Sequence, residues 1–295
     1  MKYQILSPAA FTEYQLIDCG NGQKLEQFGK VKLIRPEPQA IWKPQLSKAE
    51  WENIAHARFE SADGQKGKWN QMKELPSTWN LKYKNPEYSL VLQLKLTGFK
   101  HVGVFPEQSP QWDYVYKNAK RAKGAKVLNL FAYTGAASLA AKAAGADVIH
   151  CESLKQLVSW AKLNMELSKL KDVRWLIEDA IKFLKREVKR GNYYDGVILD
   201  PPSFGIGPAG ERFVLDGQMA MLANLVLDVL KPKCFVVCNS YSFKYSALSL
   251  ANLFMGTLDK KGEPEIGELA SPYSNGRSLS HGVFFRYSNI PKKGY

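Results

Sequence analysis

Asp200-Pro201-Pro202-Ser203-Phe204 follows directly on the apolar run Tyr194–Leu199. Two consecutive prolines fix the backbone and remove two N–H donors. That rigidity either ends a strand sharply or holds a carboxylate, a free carbonyl and an aromatic ring in one place. Other chemically able residues also stand just after short apolar runs. Ala132-Tyr133-Thr134-Gly135-Ala136 follows Lys126–Phe131, and Glu152 follows Ala146–Cys151. Glu178-Asp179 follows Val173–Ile177, and Ser240-Tyr241-Ser242 follows Cys234–Asn239. A glycine at 135 permits close backbone approach, and a helix start behind it offers free N–H groups. The two oxygens of Glu152 can accept from both hydroxyls of a ribose. Asp179 is placed to accept from an adenine amino group. Each of these three has an ordinary reading as well: a turn glycine, an acid in a first helical turn, and a helix N-cap.

The elements that must position these residues are legible from about Ala125 onward. Strands at 126–131, 146–151, 173–177, 194–199 and 234–239 alternate with helices at 136–144, 154–170, 181–188, 218–230 and 247–258. In the helix at 218–230, Leu222, Leu225, Val226, Val229 and Leu230 recur at the spacing of one helical face. Strands alternating with helices imply βα units and a parallel sheet buried on both faces. Ligands of such sheets bind outside the carboxyl ends of the strands, where all five segments fall. Glu265–Leu269 and Gly282–Tyr287 read as a terminal antiparallel hairpin. The first third differs. Short strands at 24–28, 31–34, 79–84 and 90–96 sit among turn signals, with a helix over 49–58 and a polar loop over 61–68. The expected organisation is a small β-rich domain over 1–95 and a doubly wound α/β domain over 96–295.

Composition narrows the class. The 295 residues are 45% hydrophobic and 23% charged, which excludes a disordered or fibrous chain. Lys+Arg exceed Asp+Glu by 41 − 28 = 13, favouring an anionic partner, nucleic acid before membrane. Cys19, Cys151, Cys234 and Cys238 are scattered, as are His56, His101, His150 and His281, so neither a disulfide framework nor a metal site is expected. No apolar run reaches the length of a membrane span, and a cytoplasmic protein is expected.

Val127-Leu-Asn-Leu-Phe-Ala-Tyr-Thr-Gly135 resembles the cofactor strand and loop of class I S-adenosylmethionine-dependent methyltransferases. The order Gly135, Glu152, Asp179, Asp200-Pro-Pro matches their successive motifs. The wording of both segments, and Leu96-Thr-Gly-Phe-Lys-His-Val-Gly-Val-Phe-Pro-Glu-Gln108, is similar to a bacterial branch that includes ribosomal RNA large-subunit methyltransferases. The resemblance implies a Rossmann-like, mostly parallel sheet and S-adenosylmethionine as cofactor. It implies that Glu152 holds the ribose hydroxyls and Asp179 the adenine amino group, with Ala180 at the pocket edge. Asn129, Ala132, Tyr133, Thr134 and Gly135 are then expected around the methionine part, with Gln108 closing the pocket. Many members carry an acid where Asn129 stands, a departure that weakens contact to the cofactor amino group or moves it to Asp200.

In related cytosine-C5 enzymes a nucleophilic cysteine follows the fifth strand, within Ser-Cys-Ser. Here that triplet is Ser240-Tyr241-Ser242, and Cys238 falls inside the strand. A base nitrogen in ribosomal RNA is therefore the expected acceptor. Asp200, Pro201, Pro202, Phe204 and Tyr241 are the expected catalytic residues, the Pro201 carbonyl accepting from an amino group and Phe204 stacking on the base. Two basic runs, Lys117/Lys120/Arg121/Lys123/Lys126 and Lys182/Lys185/Arg186/Lys189/Arg190, are either phosphate contacts or solvated faces. Trp69, Trp79, Tyr83 and Trp112 are either stacking groups or core. Competing readings are a methyltransferase with a protein or small-molecule acceptor, a non-catalytic RNA-binding protein, and an NAD-dependent oxidoreductase. The last is disfavoured because no G-x-G-x-x-G is present.

Overall fold

The computed structural model describes residues 1–61, 66–259, 261–273 and 276–292. The chain divides into two compact units: Met1–Leu6 with Pro110–Leu269 and Gly282–Tyr295, and Ser7–Ser109 with Ala270–His281. A single cut at 95/96 does not describe this partition. The chain leaves the β-rich unit only at Ser109 and supplies it again with Ala270–His281.

The first strand, β1 (Lys2–Leu6), belongs to the larger unit. The β-rich unit follows with β2 (Tyr14–Gly20), β3 (Gln23–Phe28), β4 (Val31–Pro36), α1 (Lys48–Ile54), β5 (Ala57–Glu60), β6 (Lys68–Gln71), β7 (Trp79–Lys84) and β8 (Ser89–Leu94). A five-stranded sheet runs β2-β3-β4-β5-β6, and β7 pairs with β8. Asn21 and Gly22, both left-handed, turn β2 into β3. Helix α1 is shorter than the 49–58 expected. Ser47 and Glu50 form its capping box, and it ends at Ala55, where the chain extends into β5 and buries Ala57 and Phe59. Alternation had overridden helix propensity there. Glu26 is fully buried and receives Nε and Nη2 of Arg35 at 2.7 and 2.9 Å and the Tyr14 hydroxyl at 2.9 Å.

The larger unit contains α2 (Ser109–Arg121), β9 (Lys126–Leu130), α3 (Ala136–Ala143), β10 (Asp147–Glu152), α4 (Lys155–Leu167), β11 (Val173–Ile177), α5 (Ala180–Arg190) and β12 (Tyr194–Leu199). It continues with β13 (Phe204–Ile206), β14 (Arg212–Val214), α6 (Leu215–Asp228), β15 (Leu230–Ser240), α7 (Ala247–Met255), β16 (Glu263–Pro272) and β17 (Ser278–Ser288), of which 270–272 and 278–281 count with the β-rich unit. Its sheet runs β1-β16-β17-β15-β12-β9-β10-β11. The pairs β9/β10, β10/β11, β9/β12, β12/β15 and β1/β16 are parallel, and β15/β17 is antiparallel. The mostly parallel, doubly wound sheet expected from the sequence is present. Helix α6 begins at Leu215 rather than 218 and stops at Asp228, because Leu230 already pairs with Tyr194 as sheet.

Successive side chains of each strand leave on opposite faces. Leu128, Leu130, Ile149 and Cys151 join Ile181, Leu184, Leu222, Val226 and Phe254 from α5, α6 and α7. Val127, Val148, Ile198 and Phe235 join Val115 and Ala119 of α2 and Ala141 of α3. Gly196 makes the β12/β15 contact possible, since a Cβ there would lie 2.1 Å from Cζ of Phe235. Gly196→Ala is expected to lower stability by about 1–3 kcal/mol through overpacking. A urea midpoint identical to the parent's would refute this account of the glycine.

Candidate active site

The strand order reverses at β9: β10 and β11 lie on one side of it, β12 and β15 on the other. Loops leaving β9 and β12 therefore diverge around a crevice at their carboxyl ends. The loop after β9 is strained. Phe131, Tyr133 and Gly135 have φ of 54°, 50° and 92°. A left-handed non-glycine residue costs roughly 1–2 kcal/mol, so neighbours must hold the turn. The Ala132 N–H donates to Cys151 O at 3.2 Å, and the Tyr133 N–H to Oε2 of Glu152 at 3.0 Å. Nδ2 of the fully buried Asn164 in α4 donates to Thr134 O at 3.0 Å. At Gly135, which caps α3, a Cβ would stand 3.1 Å from that of Ala161.

Glu152 is buried, and its Oε1 accepts from the Leu154 N–H and the Ser153 hydroxyl at 3.0 and 3.2 Å. Burial pushes its carboxyl above the ordinary glutamate range, partly offset by the donors at Leu154, Tyr133 and Ser153. Asp179 is the N-cap of α5, accepting from Lys182 N at 2.8 Å. Its neighbour Glu178 binds Arg186 through two parallel contacts of 2.5 and 2.6 Å. A shallow cleft opens here, lined by Phe131, Ser153, Asp179, Ala180, Pro202 and Phe213 among others. The β13–β14 hairpin forms one wall, its Phe213 ring 5.0 Å from that of Phe131.

The structure thus brings Asp179, Ala180 and Pro202 to one cleft and ties Tyr133 to Glu152. Asn129 goes elsewhere. Its Nδ2 donates to the Ser138 hydroxyl at 2.9 Å, which lies 3.0 Å from Nδ1 of His150, so its amide is engaged beneath α3. Burial pushes His150 down to about 3, leaving it neutral. Gln108 sits on a buried turn, Pro106–Gln108, in the β-rich unit. Asp200 and Tyr241 are half-buried at the ends of the adjacent strands β12 and β15; Pro201 is buried, and Pro202 and Phe204 are exposed. Tyr83 and Trp112 are core, not stacking groups, while Trp69 and Trp79 are half-buried.

The basic runs are less available than their sequence suggests. Lys126 opens β9 and its N–H meets Asp195, so the first run collects at the amino end of the strands, opposite the crevice. Arg186, Arg190 and Lys182 of the second run meet Glu178, Glu187 and Glu211. Phe131, Ser153 and Phe213 were missed as site residues. Phe131 lay within a recognised motif, whereas the two three-residue strands of the hairpin are too short to show a period.

The S-adenosylmethionine-dependent methyltransferase family matches residues 63–240, more than half of the chain. The chain belongs to that family. A solved methyltransferase of this type from Agrobacterium tumefaciens superposes with a TM-score of 0.88 at 39% identity, over 97% of this chain and 93% of that one. Another solved methyltransferase, complexed with SAH, shares the fold at a TM-score of 0.71 and 16% identity, over 95% and 76% of the two chains. Proteins named ribosomal RNA large subunit methyltransferase K/L are similar too. The one from Shewanella loihica is 28% identical over 70% of this chain, and the one from Hahella chejuensis 34% identical over 54%. This methyltransferase spans only 29% and 22% of the length of those two relatives. Among the described residues no group of three or more His, Cys, Asp or Glu could hold a metal, and no helix is long and apolar enough to cross a membrane.

The chemistry of the crevice fits S-adenosylmethionine. The buried Glu152 carboxylate, whose oxygens can accept from hydroxyls, adjoins an aromatic- and alanine-edged cleft. Glu152→Ala is expected to weaken cofactor binding by roughly 1.5–3 kcal/mol, through lost charge-assisted hydrogen bonds. Asp179→Ser, which keeps a cap for α5, isolates the loss of the carboxylate. Parent-like affinity by calorimetry in both variants would remove the pocket assignment. Because burial raises the Glu152 pKa, its carboxylate protonates at a higher pH than an ordinary glutamate, whose value is 4.5. Protonation removes acceptor capacity. Cofactor affinity should therefore fall with decreasing pH while still above 4.5, and Glu152→Gln should flatten that dependence.

Proposed function

We propose that this methyltransferase modifies a base nitrogen in ribosomal RNA. The observation that carries the choice of atom is the setting of Cys238. It is fully buried within β15, paired with Leu199 of β12 and Phe285 of β17. Burial, and then the nearby Asp200 charge, push its thiol far above the ordinary range. Cytosine C5 needs a thiolate to activate the ring, and a neutral thiol locked inside a sheet does not supply one. A ring nitrogen with a free lone pair needs no covalent activation. Support for RNA comes from the names of the relatives and from the net charge of +13. In this reading the protein acts in the cytoplasm.

Bound S-adenosylmethionine supplies an electrophilic methyl carbon. In this reading the chain aligns the acceptor with it and excludes water, which provides much of the rate of an in-line displacement. The Pro201 carbonyl accepts from the base, Phe204 covers its face, and Tyr241 lines the neighbouring strand end. Where the attacking nitrogen bears a hydrogen, Asp200 is placed to take the proton.

Asp200→Ala should cost turnover far more than cofactor affinity, the mark of an interaction made in the transition state. Equal losses in both would make Asp200 a cofactor ligand. Cys238→Ser should retain activity apart from any packing penalty, and RNA containing 5-fluorocytidine should not trap the protein. A denaturation-resistant adduct that vanishes in Cys238→Ser would restore cytosine C5 as the target. Methylation of a protein or small molecule, with ribosomal RNA untouched, would replace the RNA acceptor.

A further inference from the structure

The β13–β14 hairpin has two unlike faces. Its register pairs Phe204 with Val214, Gly205 with Phe213 and Ile206 with Arg212. Alternation sends Phe213 inward, where it is 3% exposed against Phe131, and puts Phe204, Ile206, Val214 and Arg212 on the other side, Ile206 also reaching the rim of the cleft. Phe204 and Ile206 are each 55% exposed and Val214 is 46% exposed. Three large apolar side chains thus meet solvent on six strand residues, next to the Asp200-Pro-Pro exit. The loop after β15 extends the strip. Lys244 Nζ donates to Asp216 Oδ2 at 2.5 Å and the Tyr245 hydroxyl to Leu215 O at 3.4 Å, which seats this loop beside the end of β14. That loop carries Phe243, 72% exposed.

The charges around the strip favour an anion. The two acids bordering it are each held by a lysine: Glu211 by Lys182 at 3.7 Å and Asp216 by Lys244. Arg212 stands exposed on the strip itself. Aromatic and branched apolar surface beside a guanidinium suits unstacked bases on a phosphate backbone. Base-paired RNA offers its bases edge-on within a groove and would leave the apolar side chains uncovered.

We propose that the outer face of this hairpin, with Phe243, docks the unpaired RNA segment that flanks the target nucleotide. The inference rests on the RNA reading above and names the form of RNA the site takes. In this arrangement the hairpin serves two ligands, its inner side walling the cofactor cleft and its outer side carrying the strand.

Val214→Ser, Phe243→Ser and Arg212→Glu test it, with large-subunit ribosomal RNA from a deletion strain as substrate. Each should raise KM for RNA roughly tenfold, with cofactor affinity unchanged as the proof of folding, and Arg212→Lys should recover most of the loss. A 4-thiouridine-labelled single strand should crosslink the unmutated protein within 204–214 or 240–245, and a duplex of the same sequence should not. If the parent methylates RNA while the three variants keep its KM, or if duplex is preferred, the docking surface is wrong and the RNA reading stands. If the parent methylates no RNA, both fall together.

Discussion

The site hangs on one hydrogen bond, from the Tyr133 N–H to Glu152. It closes a turn in which Phe131 and Tyr133 both hold a left-handed backbone, an arrangement that persists only when its surroundings over-determine it. The carboxylate that fixes the turn is also the group assigned to the ribose. Its oxygens have lone pairs for several donors, so loop and cofactor share one anchor. Burial of that anchor raises its cost and makes each donor count.

The same economy explains the asparagine in β9. Asn129, Ser138 and His150 form a buried chain in which the imidazole is neutral. An aspartate at 129 would place an uncompensated charge there, which is expensive in a dry interior. Asparagine satisfies the serine hydroxyl at no such cost. The residue that departs from the family's usual acid thus belongs to the support beneath α3. The loop itself is held from β10, through Cys151 and Glu152, and from α4, through Asn164.

Much of the larger unit was legible because its strands, buried on both faces, read as short apolar runs separated by helical periods. Placing chemistry after each run singled out Glu152, Asp179 and Asp200 as candidates, and of these Asp179 lines the cleft. What escaped lacked a local signature. The hairpin's strands are three residues each, joined through Gly207-Pro208-Ala209-Gly210. Helix α2 ends in Lys117, Lys120 and Arg121, and with Lys123 and Lys126 beyond it read as a charge run. The basic runs were visible as composition, but the sheet end they occupy follows from strand direction. The N-terminal boundary failed for a related reason, since contiguity in sequence says nothing of a later segment that joins the same core.

One pairing also sets an order of events. Residues Lys2–Leu6 lie parallel to Glu265–Leu269, with Gln4 opposite Gly267, whose missing side chain admits the Gln4 carbonyl. More than 250 residues separate the partners. Contacts so distant along the chain form only after the entropy of closing the intervening loop has been met. The sheet's outermost strand is therefore the last to be laid down, and until then β16 presents an open edge.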